Sequence, residues 1–204
     1  MDRMAASSST AELKKFQPAA PKAKAPQAIE YCTACDSLKI RPNSTLWQEL
    51  EIGTPLRVVD LSKNYIGSDE GFQCILNWIP TCKTLEEVDL SNNFLTTDNI
   101  KALVELLLRE ETNIHTLKLH YNRLYIESGQ QLVRLARFNR KLVEIEVRDD
   151  PPAAAPADGN PPAVTAAGMK LSTHANRIPD RFLRQMRTHL EHNKQQKAKA
   201  NQQA

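Results

Sequence analysis

Apolar residues in the middle of the chain return at a fixed interval. Leu56, Val59, Leu61, Asn64 and Ile66 recur as Leu85, Val88, Leu90, Asn93 and Leu95, and again as Ile114, Leu117, Leu119, Asn122 and Leu124, in steps of 29 and 29 residues. A degenerate fourth copy follows 28 residues on, with Leu142, Ile145 and Val147, and Asp150 in the place of asparagine. In each copy two apolar residues flank one outward residue, the period of two that a short strand with a single buried face requires. The asparagine then falls at the turn, where an amide offers both donors and an acceptor to backbone groups that a buried bend would leave unpaired. Each turn leads into an amphipathic stretch, 68–79, 97–110 and 128–139, predicted as a helix that opens on a capping Ser or Thr. Cys74, Leu103 and Leu132 occupy equivalent core positions in these three helices.

A strand and a helix in 28 or 29 residues cannot bury a core alone, so the copies must stack. The fold class expected is α/β: a right-handed solenoid with a concave parallel sheet and convex helices. The pattern L-x-x-L-x-L-x-x-N-x-L over residues 55–150 resembles the ribonuclease-inhibitor-like class of leucine-rich repeats, whose long repeats contain a full helix. Residues 55–148 are therefore read as repeats and 28–54 as a helical cap. In that cap one helix, 28–38, carries Ile29, Cys32 and Cys35, and a second, 43–50, carries Leu46, Trp47 and Leu50. Residues 1–27 read as a disordered Ala/Pro/Lys tail, and 149–176 as a disordered linker with five prolines between 149 and 168. A capping or docking helix over 177–193 is predicted from Pro179 in its first turn and the stripe Phe182, Leu183, Met186 and Leu190, followed by a polar basic tail over 194–204.

Composition narrows the class further. The 204 residues are 41% hydrophobic and 5% aromatic, and 19 of the 22 alanines lie outside residues 29–147, so core-forming material is concentrated in the repeats and caps. No apolar run approaches the ~18 residues of a membrane span. Residues 1–11 carry no signal-peptide core, and Asp2 and Glu12 are out of place in a mitochondrial presequence; a cytoplasmic protein with reduced thiols is expected. The net charge of +3 divides unevenly: residues 1–28 carry five Lys/Arg against two Asp/Glu, residues 177–204 seven against two, and the body between them 15 against 20. Opposed fields of this kind steer different partners to different parts of one chain.

Catalytic and metal chemistry finds little support. Cys32 and Cys35 form a lone C-x-x-C, Cys74 and Cys82 have no histidine beside them in sequence, and zinc needs a second ligand pair. His115, His120, His174, His189 and His192 are scattered and compose no triad, and six glycines form no phosphate-binding loop. No enzyme activity, cofactor or metal is expected.

Binding is the remaining class. On the open strand face, the column between the strand leucines is Asp60, Asp89, Lys118 and Glu146. It is flanked by Val58, Glu87, Thr116 and Glu144 on one side and by Ser62, Ser91, His120 and Arg148 on the other. Asp60 beside Asp89 is expected to cost roughly 0.2–1 kcal/mol, with Lys118 relieving Asp89 and Glu146. These carboxylates, with Lys118 and His120, are the candidate contacts for a basic partner segment, the alternative being that aspartate here is ordinary repeat consensus. Lys14, Lys15, Lys22 and Lys24 at one end, and Arg181, Arg184 and Arg187 with Lys194, Lys197 and Lys199 at the other, are candidates for an acidic filament surface. Nucleic acid is the weaker partner for the tails, since their only aromatics are Phe16 and Phe182. The resemblance implies a non-catalytic adaptor in a multi-protein complex, among relatives that include the carboxy-terminal domain of tropomodulin and subunits of ciliary and flagellar axonemes. It equally includes the activating protein of the Ran GTPase, so regulation of a small GTPase stands as a second implied role.

Overall fold

The computed structural model describes residues 26–67, 69–109, 111–147 and 176–203. Four three-residue strands, β1 (Val58–Asp60), β2 (Glu87–Asp89), β3 (Thr116–Lys118) and β4 (Glu144–Glu146), pair in chain order as an open parallel sheet. Val59, Val88, Leu117 and Ile145 stand side by side in register, so the intervals of 29, 29 and 28 residues each set one strand beside the next. Between the strands run α3 (Asp69–Trp78, continued by a 3-10 turn over Ile79–Thr81), α4 (Thr97–Arg109) and α5 (Ile126–Phe138). Before the sheet come α1 (Pro26–Ser37) and α2 (Ser44–Ile52), and after it α6 (Asp180–Gln203). The result is a mixed α/β architecture, with the core held between one sheet face and the helices.

That core repeats its own chemistry. Leu61, Leu90 and Leu119 at the strand ends are fully buried, as are Cys74, Leu103 and Leu132 on the helices. Asn93 and Asn122 are also fully buried, and their amides tie adjacent copies together. Asn93 Oδ1 accepts from Asn64 N at 2.8 Å, while its Nδ2 donates to Leu61 O at 2.7 Å. Asn122 does the same one step on, accepting from Asn93 N at 2.9 Å and donating to Leu90 O at 2.7 Å. The residues on either side of each asparagine, Lys63 and Tyr65, Asn92 and Phe94, Tyr121 and Arg123, all adopt left-handed φ between 54° and 60°. Left-handed backbone is costly for side chains of this kind, and here it is offset by the paired amide between each pair.

The fourth amide comes from an unexpected place. The sequence pattern assigns the turn to Asp150, which lies outside the described residues, and the structure fills the ladder with Asn176. Asn176 Oδ1 accepts from Asn122 N at 3.0 Å and Leu124 N at 3.1 Å, and its Nδ2 donates to Leu119 O at 2.8 Å and Val147 O at 2.9 Å. Asn176 and buried Ile178 thus reproduce the N-x-L end of the repeat, 26 residues later than the spacing places it. Four residues after Asn176, α6 begins, as α4 and α5 begin four residues after Asn93 and Asn122. The helix that the sequence presents as a capping or docking element is the helix of the fourth copy. It packs on α5 and β4, burying Phe182, Met186 and Leu190. It also runs past the predicted limit of 193 to Gln203, because its last turns contain neither Gly nor Pro, the usual helix terminators.

Other local expectations are corrected. In α1 the buried stripe is Ala28, Tyr31 and Cys35, while Ile29 is 51% exposed, since a position one residue from the stripe is rotated about 100° away. Tyr31 ties this helix to the next: its hydroxyl accepts from Asn43 N at 2.9 Å. Asn43 is the N-cap of α2, and with Thr45 it reaches Asn64 Oδ1, closing the first end of the asparagine ladder. The start of α4 is a reciprocal cap between Thr96 and Asn99 rather than a cap by Thr97. Ser128 lies inside α5, fully buried, with its hydroxyl 3.1 Å from Thr97 Oγ1; the N-cap is Tyr125, which makes no side-chain cap.

Gly67 lies where one copy's backbone comes close against the next. A Cβ added there would lie 2.5 Å from Asn93 O and 2.6 Å from Phe94 O. Both are backbone atoms and cannot rotate aside, so Gly67→Ala is expected to destabilise by about 1–3 kcal/mol. A thermal midpoint equal to that of the unaltered chain would count against the close contact.

Candidate partner-binding face

The alternation that buries Val59, Val88, Leu117 and Ile145 turns their neighbours to the opposite face. Asp60, Asp89, Lys118 and Glu146 fall in one row, and Val58, Glu87, Thr116 and Glu144 in the next. All are exposed or half-buried, so five carboxylates and one ammonium share a face three residues wide. His120, beyond the end of β3, lies beside them, with Nε2 2.9 Å from Glu146 Oε2. Ser91 of the third row is buried, and Arg148 lies outside the described residues.

The direct ion pair was not part of the expectation: Lys118 Nζ sits 2.5 Å from Glu87 Oε1, diagonally across the two rows, while its charge also acts on Glu146 and Asp89 as expected. The aspartates are held by their own turns: Asp60 Oδ1 accepts from Ser62 N, and Asp89 Oδ1 from Ser91 N, each at 2.8 Å. Each carboxylate therefore has a backbone donor, which offsets the like-charge contact in the Asp60–Asp89 row. The bond from Ser62 N is the main reason that the Asp60 carboxyl is held below its ordinary value of 3.8. The folded state then binds this proton more weakly than the unfolded chain. Its contribution is complete above the unfolded value and is lost as pH falls through the folded one. An NMR titration is expected to give Asp60 a midpoint below 3.8, and Asp60→Asn is expected to flatten the acid limb of the stability curve.

The basic candidates are dispersed. Lys14, Lys15, Lys22 and Lys24 lie outside the described residues. Arg181, Arg184 and Arg187 lie along α6, and Arg181 covers the Phe182 ring at 4.7 Å. Lys197, three turns further on, lies near the strand entrances, where its charge adds to burial in lowering the pKa of His115.

A ridge of rings along the turn edge of the sheet was not legible beforehand. Tyr65 stacks on Phe94 with centroids 5.3 Å apart, and the Arg123 guanidinium lies 5.5 Å from the Phe94 centroid. Each follows an asparagine of the ladder, and that shared position is the signal that could have grouped them. Three of the four thiols are interior: Cys35, Cys74 and Cys82 are buried and Cys32 half-buried, and burial, reinforced by Cys35, pushes the Cys74 thiol up to about 12. It stays protonated at neutral pH, the form that neither attacks nor ligates well.

Among the described residues no group of three His, Cys, Asp or Glu is placed to hold a metal ion, and no helix is long and apolar enough to cross a membrane. Comparison with protein families finds none that matches the chain, and comparison with curated proteins finds no relative.

Proposed function

We propose that this chain is a short leucine-rich-repeat solenoid that works as a non-catalytic adaptor. It takes a basic segment of one protein on its open sheet face, while its basic extensions fasten it to a larger assembly. The observation that carries this reading is the register that sets Asp60, Glu87, Asp89, Glu144 and Glu146 on one face, with neighbouring strands about 4.8 Å apart. The sheet fixes the backbone that carries these carboxylates, so that part of the surface needs no ordering on binding. On resemblance alone, we place the assembly in the cytoskeleton, with the axoneme of a cilium or flagellum as the particular site.

Crosslinking mass spectrometry from native extract, comparing the unaltered chain with Glu87→Lys/Asp89→Lys, tests the proposal. Crosslinks from the strand face to basic segments of one partner, at least tenfold fewer in the variant, are expected. Binding that survives this reversal, but falls steeply with salt and disappears on deleting residues 1–27 and 194–204, would replace the adaptor with nucleic-acid binding through the tails. Stimulated GTP hydrolysis by a small GTPase in a stoichiometric assay would replace it with a regulatory role.

A further inference from the structure

The sheet ends at β4, which has a neighbour on one side only. Within the sheet each strand sends the same groups forward. Leu61 N, Leu90 N and Leu119 N donate to the next strand, and Arg57 O, Glu86 O and His115 O accept from it. The corresponding groups of the last strand are Val147 N–H and Val143 C=O, and no described strand stands beyond them. This end is also less covered than the rest: Ile145 is 9% exposed, whereas Val59, Val88 and Leu117 are each at 1%. Between the edge and α6 lies a groove of about 360 Å³, with Ile145, Val147, Leu183, Met186 and Leu190 among its lining residues.

We propose that the β4 edge and this groove form a strand-addition site for an extended partner segment in which basic and apolar residues alternate. The inference rests on the adaptor reading and names the manner of binding. A fifth strand would take up the outward backbone groups, as in recognition by β-augmentation. Its side chains would then divide between two faces. Those on the open face fall beside Glu144 and Glu146, where opposite charge is favoured across strands. Glu144 is exposed and forms no ion pair among the described residues, so its charge is open to an incoming cation. The other set meets Leu183, Met186 and Leu190; on the same wall Glu191 pairs with Lys194 at 3.5 Å, which leaves an apolar strip with Arg187 as its further cation. Edge geometry thus supplies the affinity, and the contrast between an acidic and an apolar wall fixes the register.

The test uses the full chain and a capped hexapeptide, Lys-Val-Lys-Val-Lys-Val, with binding measured by calorimetry and mapped by amide NMR. Saturable binding is expected, with shifts concentrated at residues 143–147 and 183–190. Methylating alternate peptide amides is expected to weaken binding at least tenfold in one of the two registers and to leave the other unchanged, since only one set of amides faces β4. Glu144→Lys/Glu146→Lys is expected to weaken it at least tenfold as well. Equal binding by both methylated peptides overturns the proposal. If they bind equally while shifts move to residues 58–60 and 87–89, the open-face reading stands and the edge site falls. The proposal also falls if sedimentation shows a dimer that the peptide does not dissociate, since the edge then belongs to a second copy. Shifts at 143–147 on deleting residues 151–172, before peptide is added, overturn it in favour of the chain's own segment.

Discussion

Asn93→Ala is expected to lower stability by about 3–5 kcal/mol, measured as the shift in the urea unfolding transition followed by circular dichroism. The substitution withdraws one acceptor and two donors from a fully buried site. Asn64 N and Leu61 O lose bonds of 2.8 and 2.7 Å, and Ile66 N and Ser91 O lose longer ones of 3.5 and 3.2 Å. Each buried backbone group left unpaired costs about 1–3 kcal/mol, and the two short bonds dominate. Against the roughly 5–15 kcal/mol that holds an ordinary domain together, this is a large fraction. Asn93→Asp is expected to fail almost as badly, because a carboxylate retains the acceptor, loses the donors and adds a buried charge. A loss below about 1 kcal/mol for the alanine variant would mean that water replaces the amide and that the ladder is not the main tie between copies.

The second large effect concerns the far end. Asn176→Ala is expected to release α6 from the stack, with a loss of about 3 kcal/mol or more, since all four of its ladder bonds run to groups 29–57 residues away in sequence. Hydrogen exchange should then show the amides of Arg181–Leu190 opening well before those of Ile100–Leu107. The companion experiment is an excision. Removing residues 150–175 joins Asp149 to Asn176 and leaves two residues between Val147 and the asparagine, as between Leu119 and Asn122. That shortened chain is expected to fold with α6 in place and to melt no lower than the original. If the excised chain cannot dock α6, Asn176 is not the fourth rung of the ladder.

Much of the architecture was readable because period and burial coincide. Val59, Val88, Leu117 and Ile145 are the residues that the repeat picks out, and they pair in the register it implies. The strand face was readable for the same reason: alternation in a strand assigns each side chain to one side or the other, so the acidic rows could be written down in advance. The helix ends were less legible. Capping depends on which backbone groups remain exposed after the turn, which is why Thr96 displaced Thr97 and Ser128 was drawn inside its helix. Nor could composition alone show that Ile29 points outward, since the stripe that packs is chosen by the helix it meets.

The sequence by itself determined the interval, the paired strands, the asparagine turns and the residues of the open face, because each depends on spacing along a single repeat. Only the tertiary structure decided that Asn176 closes the ladder, that α6 belongs to the fourth copy, and that Lys118 turns to Glu87. Such contacts depend on which of several chemically equivalent groups comes within reach once the copies are stacked. A repeat interrupted by 26 residues carries no period across the gap, but its amide still fits the same set of unpaired backbone groups.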